Sequence, residues 1–285
     1  MTTFSLPLTT PVNFKPRFQK LVVEELGNLT PFMAITALFL AMALPTYMAL
    51  LLDGRSFQGD GVWLKPLKFQ LSLAMFFGTV AWFGLYTSEA FRASKAVHIF
   101  AYVACFAALS EIVWIGGAAF FGTASHFNVS SAFMSSIYSL MGLFAVTLTA
   151  SALVVGVGVL RNRSGVLHPA LQAALGWSMV LTFLATVVTA GYMAGQPGHL
   201  VGAEAQRAAH WLTGWSTQAG DLRVPHFFAT HAMHFVPFLA LVIAGTVRGT
   251  LIPTMLVWAL IAAYSLLVAF TFLQAIAGEP FWSGL

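Results

Sequence analysis

Cysteine is almost missing from this chain: Cys105 is the only one in 285 residues. That excludes an intrachain disulfide, a thiolate metal cluster and a Cys-x-x-Cys redox pair. Cys105 itself falls in an apolar run, where a lone thiol packs as a small apolar side chain. Charge is scarce as well. Asp, Glu, Lys and Arg make up 8% of the residues, against roughly 25% in soluble domains. The thirteen Lys and Arg are scattered near segment ends and form no stripe, which excludes a nucleic-acid surface. Residues 1–28 lack the apolar core of a cleavable signal and carry Lys15, Arg17, Lys20, Glu24 and Glu25. Within them, Asn13 to Leu26 reads as a short amphipathic segment at a membrane surface.

What fills the chain is apolar. Hydrophobic residues make up 59% of it, with a mean hydropathy of +0.83. A membrane span takes about 20 apolar residues, and seven runs of that size are present: 29–52, 65–88, 96–122, 131–160, 170–194, 225–247 and 252–274. Backbone groups in lipid must be satisfied within the chain, so the expected fold is all-α, a polytopic helical bundle. The domain plan is an N-terminal segment 1–28, a seven-helix domain 29–274 and a tail 275–285. With the N-terminus inside, eight of the thirteen Lys and Arg fall on the cytoplasmic side and five outside (Arg55, Lys65, Lys68, Arg207 and Arg223). The positive-inside rule thus places the N-terminus inside and the C-terminus outside. No internal repeat is visible.

Against this background one stretch stands out, Gly220-Asp-Leu-Arg-Val-Pro-His-Phe-Phe-Ala-Thr-His-Ala-Met-His-Phe-Val-Pro237. It carries Asp221, Arg223, His226, His231 and His234 into an apolar span, where ionisable groups are costly and mark functional sites. At about 100° per residue, Arg223, His226, Thr230, His231, His234 and Pro237 share an arc of roughly 140°. That face is expected to turn toward the bundle interior or a cavity. On the second span Lys65, Lys68, Ser72, Thr79 and Tyr86 share a face. Lys65 can snorkel to the headgroups, whereas Lys68 lies about a turn deeper. Glu111, well inside the third span, must be paired, protonated or metal-bound. The turn Ser125-His-Phe-Asn128 adds His126 and Asn128 on the same side. The loop 195–224 is long enough to be a lid; Ala203 to Leu212 reads as an amphipathic interfacial helix, with Trp211 and Trp215 at headgroup level. His98 and His168 lie near the cytoplasmic ends and read as structural, and Thr182, Thr186 and Thr189 as helix-packing groups.

Three motifs, Trp63-Leu-Lys-Pro-Leu-Lys-Phe69, Ser125-His-Phe-Asn128 and Gly220-Asp-Leu-Arg-Val-Pro-His-Phe-Phe-Ala-Thr-His231, resemble those of an uncharacterised family of bacterial multi-pass inner-membrane proteins. The resemblance runs roughly from Asp60 to Pro237. It implies a location in the bacterial cytoplasmic membrane and lends no catalytic residues. The chain also resembles seven-span membrane hydrolases that hold zinc with three histidines and an aspartate, in span count and in its histidine-rich late span. It departs from them in histidine spacing and in the side on which the cluster lies.

Three functions fit these residues. The first is a metal- or cofactor-dependent membrane enzyme, hydrolytic or redox. It has His226, His231 and His234 as metal ligands, Glu111, Asp221 and Lys68 as catalytic groups, and Arg223, His126, Asn128 and Lys65 binding a small-molecule or lipid-soluble substrate. Nitrogen and oxygen donors suit zinc, iron or copper(II). Haem fits less well, because the histidines inside the outer halves of the spans all come from span six. The second is a proton-coupled or anion transporter using the same polar groups. The third is a non-catalytic sensor or assembly factor whose buried polar groups specify one packing.

Overall fold

The computed structural model describes residues 31–202 and 208–282. The amphipathic segment expected within 1–28 lies outside the described residues. The rest is a bundle of seven long apolar helices: α1 (Pro31–Leu52), α2 (Leu64–Gly84), α4 (Lys95–Phe120), α5 (Ala132–Arg161), α6 (Pro169–Ala194), α7 (Arg223–Thr246) and α8 (Leu251–Ile276). A single turn, α3 (Glu89–Arg92), lies between α2 and α4. Each long helix can cross a bilayer, so the chain is an integral, multi-pass membrane protein. Two two-stranded antiparallel ribbons sit in the connections: β1 (Ser56–Phe57) with β2 (Asp60–Gly61), and β3 (Leu200–Val201) with β4 (Gly220–Asp221).

The helix ends follow local chemistry. Ser88 and Ser131 accept the backbone N–H of the third residue into α3 and α5, a capping geometry that satisfies an orphan donor. His168 caps α6, its Nδ1 accepting from Ala170 N, and Pro169 follows at the first helical position. The α2 pattern was expected to run to residue 88, but the helix ends at Gly84. There the chain tightens to i→i−3 bonds, Leu85, Tyr86 and Thr87 donating to the carbonyls of Trp82, Phe83 and Gly84, and Arg92 turns back to donate to the carbonyls of Leu85 and Thr87.

Packing divides into two connected sets. α1, α2, α4 and α5 enclose one core cluster, with Phe39, Phe77, Val80, Ala104, Ala108, Ala152 and Val159 sealed. α6, α7 and α8 enclose another, built from Ala170, Ala174, Ala229, Ala232, Val236, Ala240 and Val257. The seam between the sets is α5 against α6. An added Cβ at Gly156 would stand 2.8 Å from the Gly176 carbonyl and 2.9 Å from Met179 Cβ. Small residues therefore let these two backbones approach, the usual device of helix packing in lipid.

The two ends of the bundle are tied differently. At the end carrying residues 53–63, 121–131 and 195–222, Arg55 pairs with Asp53 at 2.7 Å and donates to Phe120 O, linking α1 to α4. Arg55 and the Trp63 indole N–H hold the Asp53 carboxyl well below the usual carboxylate range. At the opposite end Asn162 donates to Tyr86 O, Gln172 to Asn162 O, and His168 Nε2 to Gly249 O. His168 is thus structural, as expected. The end expected to face out from the charge count is the first, and "outer" below is the label for it.

Candidate functional site

The sequence-predicted residues fall into three groups at different depths. The first is at the outer mouth, between α2, α4 and the 121–131 turn. Lys65 Nζ lies 3.2 Å from His126 Nδ1, and Ser125 Oγ lies 3.0 Å from the same nitrogen. An ammonium can only donate, so Nδ1 is the acceptor and the ring proton resides on Nε2. Burial, then the Lys65 charge, pushes the His126 pKa down to about 3; the ring is neutral at physiological pH. Phe69 and Tyr138 flank it, with centroids 5.5 and 6.2 Å away.

Glu111 lies deeper on α4, 3% exposed, and its Oε1 has no hydrogen-bond partner. The cation whose charge reaches it is Lys65, not Lys68 as its depth had suggested. Lys68 is exposed on α2. Asn128 belongs to the turn: its Nδ2 donates to Ala124 O and its Oδ1 accepts from Ser130 N and Oγ.

The second group is the start of the Gly220–Pro237 stretch. Asp221 is 1% exposed. Its Oδ1 accepts from Arg223 N at 3.0 Å and Nε at 2.9 Å; its Oδ2 accepts from Ser216 N at 2.9 Å and Arg223 Nη2 at 2.6 Å. Arg223 Nη2 also donates to Gly214 O at 2.7 Å. Both carboxylate oxygens are engaged, so Asp221 and Arg223 clasp residues 214–223 onto the head of α7 rather than facing a substrate. The preceding glycine serves the same clasp. A Cβ at Gly220 would collide with the Ala275 carbonyl at the end of α8.

Aromatic side chains complete the cap: Trp215 meets Phe227, Phe228 and Phe281, and His210 stacks on Trp282. The interfacial helix expected over 203–212 is not what residues 208–212 form. Ala209 bridges to Ser216 and a turn follows, while 203–207 lie outside the described residues. Trp211 is 86% exposed, as a headgroup-level side chain should be, but Trp215 is buried under the cap.

The third group is the histidines of α7. The stripe of α7 that seals into the bundle is Val224, Ala229, Ala232, Met233, Val236 and Ala240. The histidines flank it, half-buried, so the polar face borders the core instead of filling it. His226 and His234 turn to different neighbours. His226 Nδ1 faces Thr189 Oγ1 of α6 at 3.5 Å, and His234 Nε2 faces Thr79 Oγ1 of α2 at 3.1 Å. His231 and His234 meet each other, Nδ1 to Nδ1, at 3.1 Å. The expected three-histidine set is therefore not assembled. Among the described residues no three His, Cys, Asp or Glu side chains form a group able to hold a metal. The reason is mainly axial: residues 226 and 234 are eight positions apart, about 12 Å along the helix and 80° around it, so they meet different neighbouring helices.

The protons of this group can be placed. Thr79 Oγ1 is 2.8 Å from Met75 O; two oxygens that close need the hydroxyl proton between them. Thr79 therefore accepts from His234, whose Nε2 carries the proton and whose Nδ1 is a lone pair. With a lone pair on His234 Nδ1, the 3.1 Å contact is made by His231 Nδ1–H donating to it. His231 Nε2 is left as a lone pair. The chain is ordered: His231 to His234 to Thr79 to Met75 O. Pro237 lacks the N–H that would have bonded the Met233 carbonyl; separately, Met233 N donates to Thr182 Oγ1 at 3.0 Å.

Depth separates the groups. Thr79 stands fourteen residues past Lys65 on α2, about 21 Å along the axis. His126 and Lys65 are thus not neighbours of His231 and His234. Beyond Thr79, the meeting faces of α2, α5 and α6 carry Val80, Phe83, Val155, Val159 and Met179, all buried. The link between Thr79 and His234 was not evident from sequence, although both residues lay on polar helical faces. Ser216 and Phe281 gave no signal at all.

Fold and site together define an integral, multi-pass helical membrane bundle with ionisable groups at one end and along α7. Comparisons of the chain with protein-family models, with curated proteins and with solved structures find no match.

Proposed function

We propose that the protein is a membrane enzyme of the bacterial cytoplasmic membrane with a one-sided, outward-facing site, in which the His231–His234 pair moves a proton. The observation that carries this reading is the ordered chain from His231 to Met75 O. Such an arrangement fixes one imidazole by another group and leaves His231 Nε2 as an oriented base, the disposition general-base chemistry requires. The apolar layer below Thr79 favours a site that ends within the bilayer over a pathway that crosses it. The bacterial location rests on the motif resemblance.

A metal-dependent form of the same enzyme is favoured by one distance. Two imidazole nitrogens bound at about 2.1 Å to one zinc stand roughly 3.0–3.4 Å apart, and the Nδ1 atoms of His231 and His234 are 3.1 Å apart. Zinc, iron or copper(II) held there would have two protein ligands and would polarise a bound water. The missing third ligand favours the proton-transfer form. Elemental analysis of protein purified without chelators separates the two. Less than about one metal in ten chains, unchanged by His231→Ala, is expected. Stoichiometric metal lost in His231→Ala and His234→Ala would replace the proton relay with a metal site.

A further inference from the structure

We propose that Lys65, Lys68 and His126 form an anion-binding subsite at the outer mouth, taking the carboxylate or phosphate group of a ligand that approaches from that side. The inference goes beyond the enzyme reading above and does not rest on it.

The pairing of the charged groups nearest the outer mouth carries the argument. Of the described cations at that end, Arg55 and Arg223 each hold a carboxylate, at 2.7 and 2.6 Å. Asp53 and Asp221 are saturated by those partners and by Trp63 Nε1 and Ser216 N. Lys65 and Lys68, three residues apart and so on one face of α2, are exposed and have no such partner among the described residues. Lys65 spends one N–H on His126, and its ring contact, with Phe69 at 6.0 Å, is distant. Glu111 lies below, its Oε1 sealed from solvent, and offers its charge but no hydrogen bond. Lys65, partly compensated by Glu111, and Lys68 thus stand one turn apart at the outer mouth, while the other described carboxylates of that end, Asp60 and Glu279, are exposed and bond to neither.

His126 adds direction. Lys65 and Ser125 occupy its Nδ1, so its remaining polar atom is a fixed Nε2–H donor on a neutral ring. That atom has no protein partner and is not sealed. A neutral donor held beside Lys65, with Lys68 one turn along α2, suits an anion with more than one oxygen, because charge and direction come from different groups.

The anion can be a soluble substrate's or a lipid headgroup's, and one experiment covers both. The full chain, with ¹⁵N-labelled histidine, is placed in phosphatidylcholine nanodiscs, and His126 is assigned by comparison with His126→Gln. Inorganic phosphate is titrated at constant ionic strength. A saturable shift of His126 is expected, about tenfold or more weaker in Lys65→Met, weakened in Lys68→Met and retained in Lys65→Arg. A shift already complete in phosphatidylglycerol nanodiscs without phosphate identifies the anion as a headgroup; a shift only with free phosphate identifies a soluble ligand. No shift in either arm overturns the subsite, as does an equal shift in Lys65→Met or with chloride alone. His231→Ala should leave the response intact. A normal His126 response beside misassigned His231 and His234 protons would sink the proton-transfer reading alone.

Discussion

Replacing Asp221 by asparagine should damage stability before it touches chemistry. The side chain is fully enclosed while that of Arg223 is 35% exposed. Asparagine keeps the shape and one acceptor but turns a donor toward Ser216 N or Arg223 Nη2, atoms that are themselves donors. Removing one member of a buried pair costs about 3–5 kcal/mol. Water reaching the guanidinium relieves part of that, leaving about 2–4 kcal/mol. At roughly 2–4 °C per kcal/mol, the thermal midpoint in detergent should fall by about 5–15 °C. Hydrogen exchange should speed up in residues 208–222 and at the start of α7. In an Arg223→Gln background the same change should cost markedly less, since the stranded charge is gone. A midpoint within about 2 °C of the parent protein, with activity abolished, would refute the clasp and return Asp221 to the catalytic role its sequence context suggested.

Other perturbations test other parts. Gly220→Ala should be at least as damaging as a typical overpacked core, about 1–3 kcal/mol, because its methyl meets the Ala275 carbonyl, which cannot rotate away; the thermal midpoint reads it. Gly156→Leu should destabilise the α5–α6 seam by a similar amount, seen as a lower midpoint and as protease cleavage in the 162–168 connection. Thr79→Val removes the acceptor for His234 Nε2–H and should cost about 1–2 kcal/mol, with Thr79→Ser restoring it. His126 has a folded pKa depressed to about 3 from 6.5. Its contribution to stability is therefore complete above pH 6.5 and is lost as pH falls toward 3. His126→Asn should flatten the acid-side fall of the thermal midpoint over that window, and an unchanged profile would contradict the burial of the ring.

Much of the architecture was legible because lipid simplifies the problem. Apolar length alone places each helix, and the expected spans differ from the observed ones by a few residues. The exceptions have local causes, such as the tightening to i→i−3 bonds that ends α2. The site was legible as a set of costly residues but not as a set of contacts. A helical projection put His226, His231 and His234 on one face, yet it carries no information on which neighbour each meets. Thr79 and Thr189 sit on different helices, and that divides the histidines. The motif Gly220-Asp-Leu-Arg223 read as chemistry because charge near a membrane is expensive. The same cost explains a saturated structural clasp, and its partners, Gly214 and Ser216, are ordinary loop residues with no periodic signal. Glu111 was correctly read as buried; its depth pointed to Lys68, whereas the cation whose charge reaches it is Lys65, one turn away.

The central claim is the ordered proton chain on α7, and histidine ¹⁵N spectroscopy at neutral pH tests it most directly. With single His→Ala variants for assignment, His234 should carry its proton on Nε2 and His231 on Nδ1, and Thr79→Val should mix the His234 tautomers. Both rings protonated on Nε2, with their Nδ1 atoms shifted by a bound metal, would contradict the account, as would two rings exchanging freely between tautomers.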